Sequence, residues 1–214
     1  MLLFKNCPYR NRPYMGHNTD WIVEIYEKYF GNNFNGFLVE IGVGYVIDWN
    51  NMEYGNPPKN IDIKNIDPKK IVRGESHTIE LLENGWTGIY MDTIHEFIDE
   101  LQILLCDLLP KNQFEKIKFV KSGASDKKRI VQIVGNETVS VLDENESIID
   151  DIIPYEYQGR KLLCDKTSTL LEKSKCPSEI DLMVIDVEGH EMYVLQGLDF
   201  DKHNPKLILI EIST

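Results

Sequence analysis

Residues 36–44 have the sequence GFLVEIGVG, a short apolar run that ends in two glycines. An apolar run of this length predicts a strand that is buried on both faces of a parallel sheet. Such sheets bind ligands beyond the carboxyl ends of their strands, where a glycine turn lets the main chain approach the ligand closely. We therefore expect Glu40, Gly42 and Gly44 to line a ligand site.

Strands and helices alternate along the rest of the chain. Further strands are predicted at 87–92, 116–121, 180–186 and 205–211, a hairpin of two strands at 129–142, and helices at 19–30, 79–82, 94–109, 167–173 and 191–197. The small residues 122–125 predict a turn. This order predicts an α/β fold with a doubly wound, mostly parallel sheet and helices on both of its faces.

The length of 214 residues and the 42% of hydrophobic residues suit one globular domain. We assign residues 1–214 to a single domain with a helical N-terminal extension at 1–35. Residues 45–75 are rich in Asn, Asp, Pro and Lys and predict a long inserted loop. Loops of this length usually have a function, and we expect this one to cover a substrate.

Charge and cysteine content narrow the function classes. The chain has 23 Lys and Arg against 35 Asp and Glu, a net charge of -12, so binding to a nucleic-acid backbone is not expected. No stretch approaches the roughly 18 apolar residues that span a membrane. The four cysteines form no C-x-x-C pair, which is typical of reduced thiols and not of a zinc site. We expect a cytoplasmic protein whose partner is a small-molecule or glycan acceptor.

Several residues suit a nucleoside cofactor. Gly42 and Gly44 form the first half of a dinucleotide fingerprint, although Ile47 replaces its third glycine. Asp92 ends the next predicted strand, where an acid can accept hydrogen bonds from a ribose diol or, alternatively, cap a helix. Ser122 and Ala124 are small enough to lie beside an adenine. This set suits S-adenosylmethionine better than NAD.

The densest polar cluster is the sequence DVEGHE at 186–191, directly after an apolar strand. Its carboxylates repel one another unless a metal ion, a proton or a cationic ligand compensates them. Asp186, Glu188 and His190 are therefore our candidate catalytic residues, and a divalent cation stays open. The alternative is a helix start, where acids favour the dipole, and this explains Glu191. Glu211 ends the last predicted strand, and it either faces the same cleft or pairs with a surface lysine.

The motifs resemble those of the FkbM-type methyltransferases. They occur in one order at 36–42, 76–78, 85–89, 122–126, 181–191, 194–198 and 205–211. The resemblance implies a class I Rossmann-like fold, S-adenosylmethionine as the cofactor, and methyl transfer to oxygen, often on sugars. It also adds Ser76 and Thr78 to the expected cofactor-binding residues.

The chain departs from this family in three places. The usual S-N-T motif is Ser76-His77-Thr78 here, and the insertion at 45–75 replaces a loop that is usually short. The sequence also stops at Thr214, just after the fifth predicted strand of the sheet. We therefore expect a sheet without the final antiparallel strand pair, in either an abbreviated protein or one part of a longer polypeptide.

These observations predict an S-adenosylmethionine-dependent O-methyltransferase that acts on a hydroxyl of a sugar, nucleotide sugar or glycan. Asp186 is the first choice for the base or for orienting the acceptor, and Glu188 and His190 come next. One alternative is a catalytically silent Rossmann-like binding module of a larger glycan-modifying enzyme. Another is a metal-dependent hydrolase built on Asp186, Glu188 and His190.

Overall fold

The computed structural model describes residues 29–30, 35–44, 76–134, 138–141 and 159–211. The predicted loop at 45–75 lies outside these residues, as does the predicted helix at 19–30 except for its last two residues. The described elements, in chain order, are β1 Phe37–Ile41, α1 Ile79–Glu83, β2 Thr87–Asp92, α2 His95–Leu108, α3 Lys111–Phe114, β3 Lys118–Lys121, β4 Gly123–Ser125, β5 Arg129–Val134, β6 Thr138–Val141, β7 Lys161–Lys166, α4 Thr167–Lys173, β8 Glu179–Ile185, α5 Glu191–Gly197 and β9 Asn204–Ile210.

The central sheet has five strands in the order β3-β2-β1-β8-β9, and all four strand pairs are parallel. In its register, Ile41 is paired with both Met91 and Ile185, so β1, β2 and β8 end at nearly the same level. The predicted mostly parallel α/β fold is confirmed. Among the described residues this sheet contains no antiparallel pair.

Helices cover both faces of the central sheet. Successive side chains of a strand point to opposite faces, so the apolar residues of the inner strands need a packing partner on each side. On one face, Leu38 and Leu182 pack with apolar side chains of α1 and α2. On the other face, Val39 and Met183 pack with Leu171 of α4 and with α5. Burial on both sides explains why β1 and β8 are continuous apolar runs, as expected for inner strands of a parallel sheet.

A second sheet, in the order β4-β7-β5-β6, was not predicted. The prediction of a turn at 122–125 was wrong for residues 123–125, which form β4 and pair in parallel with β7. Small residues are typical of turns, but here a partner strand about 40 residues away supplies the main-chain hydrogen bonds. The predicted hairpin is confirmed, because β5 and β6 are antiparallel with Val134 opposite Thr138.

No helix in the described part of the chain is long and apolar enough to cross a membrane.

Candidate active site

The candidate site lies where the strands of the central sheet end. Gly42 follows β1, Asp92 ends β2, Asp186 follows β8, and Glu211 follows β9. The main chain joins these positions, since the amide of Asp186 donates to Ile41 O at 2.9 Å and the amide of Glu211 donates to Ile185 O at 3.0 Å. The ends of β1, β8 and β9 therefore lie side by side, with Asp186 and Glu211 at adjacent strand ends.

The glycine turn after β1 packs directly against the main chain of Asp186. Gly42 has a φ of +83°, and a Cβ atom there would lie 1.5 Å from the carbonyl oxygen of Asp186. Gly44 also has a positive φ, of +64°. The prediction explained the glycine at position 42 by the close approach of a cofactor. The structure gives a different reason, because any side chain at this position would collide with the end of β8.

Asp92 is buried and holds the glycine turn. Its Oδ2 accepts hydrogen bonds from the amides of Val43, at 2.8 Å, and Gly44, at 3.2 Å, and its Oδ1 accepts from the amide of Ile94 at 2.7 Å. The hydroxyl of Thr93 lies 3.5 Å from Oδ1. Burial raises the pKa of Asp92 to about 6, although these amides favour the ionised form. A carboxylate has about four acceptor positions, so a ribose diol would have to displace donors that are already present.

Glu40, Ser76 and Thr78, which were predicted to bind the cofactor, form a buried network with one another. Glu40 is 0% exposed, and its Oε2 accepts hydrogen bonds from the hydroxyls of Ser76 and Thr78. Its Oε1 accepts from the amide of His77 at 2.8 Å. Burial raises the pKa of Glu40, and the charge of His77 and these hydrogen bonds oppose that rise. The network fixes loop 76–78 on β1.

His77 connects this network to Asp186, and sequence analysis did not name His77 as a site residue. Its Nε2 lies 2.8 Å from Oδ2 of Asp186. Burial alone would lower the pKa of His77, but the hydrogen bond to Asp186 and the charges of Glu40, Asp186 and Glu211 raise it to about 9. The departure from the S-N-T motif was the available signal for this residue.

Three carboxylates crowd together beside His77. Oxygen atoms of Asp186, Glu188 and Glu211 all lie within 4.8 Å of one another. The hydrogen bond with Asp186, together with burial, raises the pKa of Glu211 to about 8. Burial acts to raise the pKa of Asp186 as well, but hydrogen bonds with His77 and Glu211 lower it overall. Asp186 is therefore the ionised partner and Glu211 the protonated one near neutral pH. The same three oxygens are also close enough to hold one divalent cation.

The structure does not bring His190 into this carboxylate cluster. The ring of His190 is 3% exposed, with Nε2 3.0 Å from Oγ of Ser125, and it stacks on Tyr193 at 4.6 Å between ring centroids. Burial and the nearby charge of Arg129 lower its pKa to about 4. The prediction that His190 shares a site with Asp186 and Glu188 was wrong, because at the start of α5 the ring turns toward β4.

Ser122 and Ala124, which were predicted to lie beside an adenine, have other contacts. The hydroxyl of Ser122 donates to the carbonyl oxygens of Gly123 and Leu163. Ala124 is 3% exposed and belongs to the same apolar cluster as Ile41 and Met91. Its small size is thus explained by packing between β4 and the central sheet.

Comparison with known proteins adds one finding. The family model of the methyltransferase FkbM domain matches residues 75–214, about two thirds of the chain. The match includes loop 76–78 and the three clustered carboxylates, and it begins after β1. No curated protein and no solved structure matches the chain.

Proposed function

This chain belongs to the FkbM methyltransferase family, and we propose that it transfers the methyl group of S-adenosylmethionine to a hydroxyl of a sugar, nucleotide sugar or glycan. The observation that carries the proposal is the contact between the glycine turn and the end of β8. This contact supports the proposal because Asp186, whose main chain touches the turn, follows β8 at the sheet edge where this fold class binds its ligands.

The chemistry of the residues present suits this cofactor. S-adenosylmethionine, when bound, supplies a methyl group activated by a positively charged sulfur. The carboxylates of Asp186 and Glu188 provide a negative field for such a cation.

We assign the acceptor proton to Asp186. A sugar hydroxyl is a weak nucleophile near neutral pH, and a placed base typically contributes 10²–10⁴-fold to its reaction. The hydrogen bond from His77 helps to keep Asp186 ionised, so its carboxylate can take the proton. Glu188 lies beside it and orients the acceptor by accepting hydrogen bonds from other hydroxyls.

The ribose role of Asp92 requires an exchange of partners. Asp92 now accepts hydrogen bonds from the amides of Val43 and Gly44, and it contacts the ribose diol only if it releases these amides. In this role, cofactor binding therefore separates the carboxylate of Asp92 from the amides of the glycine turn. Ser76, Thr78 and Glu40 act behind this surface by fixing loop 76–78.

The proposal is tested by incubating the protein with methyl-labelled cofactor and a library of free sugars, nucleotide sugars and glycans. We expect one component to gain the mass of one methylene. Calorimetry with S-adenosylmethionine and S-adenosylhomocysteine checks cofactor binding separately, and no binding of either to the folded protein would contradict the proposal. Binding without transfer across the library would favour the silent binding module. Retained transfer in chelator would count against a metal-centred reaction.

A further inference from the structure

Loop 76–78 presents His77 at a fixed position. Its amide donates to Oε1 of Glu40, and the hydroxyls of its two neighbours donate to the other oxygen. Glu40 itself is completely buried in β1, the middle strand of the central sheet. Three hydrogen bonds to one buried carboxylate therefore tie the main chain on both sides of His77 to the rigid part of the fold.

The imidazole of His77 reaches from this anchored loop to Asp186. The distance of 2.8 Å between Nε2 and Oδ2 is typical of a strong, charge-assisted hydrogen bond. The two side chains are 14% and 18% exposed, so water screens the contact only weakly. Asp186 is also anchored, because its amide donates to the carbonyl oxygen of Ile41.

The two oxygens of Asp186 have different surroundings. Oδ1 is buried and receives no hydrogen bond from the described residues. The exposed part of the side chain therefore excludes Oδ1, which leaves Oδ2 as the oxygen that a ligand can reach. Oδ2 accepts from His77, and the hydrogen bond with Glu211 takes its second acceptor position, so an acceptor hydroxyl replaces Glu211 there.

Repulsion within the cluster would otherwise move this carboxylate. Glu188 has a carboxylate oxygen within 4.8 Å of an oxygen of Asp186, and like charges at that distance disfavour each other. A change of rotamer would turn the carboxylate of Asp186 away from Glu188. The hydrogen bond from His77 opposes that rotation and holds Oδ2 at one place in the cleft.

We propose that His77 is a positioning residue for methyl transfer, which holds Oδ2 of Asp186 where it takes the proton of the acceptor hydroxyl. This inference rests on the proposed function. As the bond between the acceptor oxygen and the methyl carbon forms, the bond from that carbon to sulfur breaks and its electron pair stays on sulfur. The hydroxyl proton passes to Asp186, and His77 keeps its own protons throughout.

The variants His77→Phe, His77→Asn and His77→Gln test this role. Glutamine places an amide nitrogen near the position of the imidazole Nε2, whereas asparagine is too short and phenylalanine has no donor. We expect the rate of single-turnover transfer to the best acceptor of the library to fall about tenfold or more in His77→Phe and His77→Asn. His77→Gln should restore most of the rate, and His95→Gln, at an exposed histidine of α2, should leave it unchanged. Affinity for S-adenosylhomocysteine should stay within about twofold in every variant.

Crystal structures of the wild type and the same variants supply a readout that does not need activity. We expect Asp186 to keep its orientation in His77→Gln and to rotate in His77→Asn. An unrotated Asp186 in His77→Asn, or a rate that does not depend on the donor at position 77, would overturn the inference. A wild type that neither binds the cofactor nor transfers methyl would instead contradict the proposed function, while the crystal structures would still decide whether His77 positions Asp186.

Discussion

Replacing His77 with glutamine keeps a hydrogen-bond donor beside Asp186 but removes a positive charge from among the carboxylates. In the folded protein, burial acts to lower the pKa of His77, but the hydrogen bond to Asp186 and the neighbouring negative charges raise it to about 9. In the unfolded chain the ordinary value is 6.5. The folded state therefore binds this proton more tightly than the unfolded state does.

The sign and size of the effect follow from this difference. A raised pKa contributes stability that is fully present below pH 6.5 and is lost as the pH rises through about 9. At 1.36 kcal/mol per pKa unit, the contribution to the free energy of unfolding is about 3 kcal/mol. His77→Gln lacks this contribution at every pH.

The contribution of His77 to the free energy of unfolding is measured by urea unfolding, followed by circular dichroism, between pH 6 and pH 10. His95→Gln is the matched control. The wild type should exceed His77→Gln in unfolding free energy at pH 6, and this excess should shrink by about 3 kcal/mol by pH 10. His95→Gln should follow the wild type. An excess that is equal at pH 6 and pH 10 would refute the reasoning, because His77 would then not titrate differently in the folded protein.

Three further substitutions test single contacts. Asp92→Ala should lower the free energy of unfolding without ligand, measured in urea, by at least about 2 kcal/mol, because buried amides lose their hydrogen-bond acceptor. An unchanged free energy of unfolding would mean that these amides find other acceptors. Gly42→Ala should destabilise the fold far more than Gly159→Ala, since both have positive φ but only Gly42 faces a main-chain oxygen at 1.5 Å; equal melting temperatures would contradict this. His190→Ala should lower the melting temperature yet leave the single-turnover rate within a few fold. A rate loss as large as that expected on removal of the catalytic base would show that His190 takes part in the reaction.

The central sheet is predictable from the sequence because its inner strands are apolar runs. Residues 36–42 and 180–186 are buried on both faces, and their composition alone indicates this. The second sheet is not predictable in the same way. Its strand β4 consists of Gly123, Ala124 and Ser125, and its partner β7 has only one buried residue, so neither segment carries a periodic apolar pattern.

The candidate site shows where nearness in sequence misleads. His190 is four residues from Asp186, but the first turn of α5 directs its ring to Ser125. His77 is 109 residues from Asp186, and the parallel sheet brings them into contact. That Asp186 and Glu188 lie together at the end of a buried strand could be inferred from residue type and strand position. The histidine that accompanies them required knowledge of how loop 76–78 is tied to Glu40.

The claim that the carboxylate cluster carries out methyl transfer is tested most directly by the single-turnover rate of Asp186→Asn. The control is Asp107→Asn, at an exposed aspartate of α2. We expect Asp186→Asn to transfer methyl at least about tenfold more slowly than the wild type, with cofactor affinity within a few fold and Asp107→Asn unchanged. An undiminished single-turnover rate in Asp186→Asn would contradict the account and remove Asp186 from the reaction as its base.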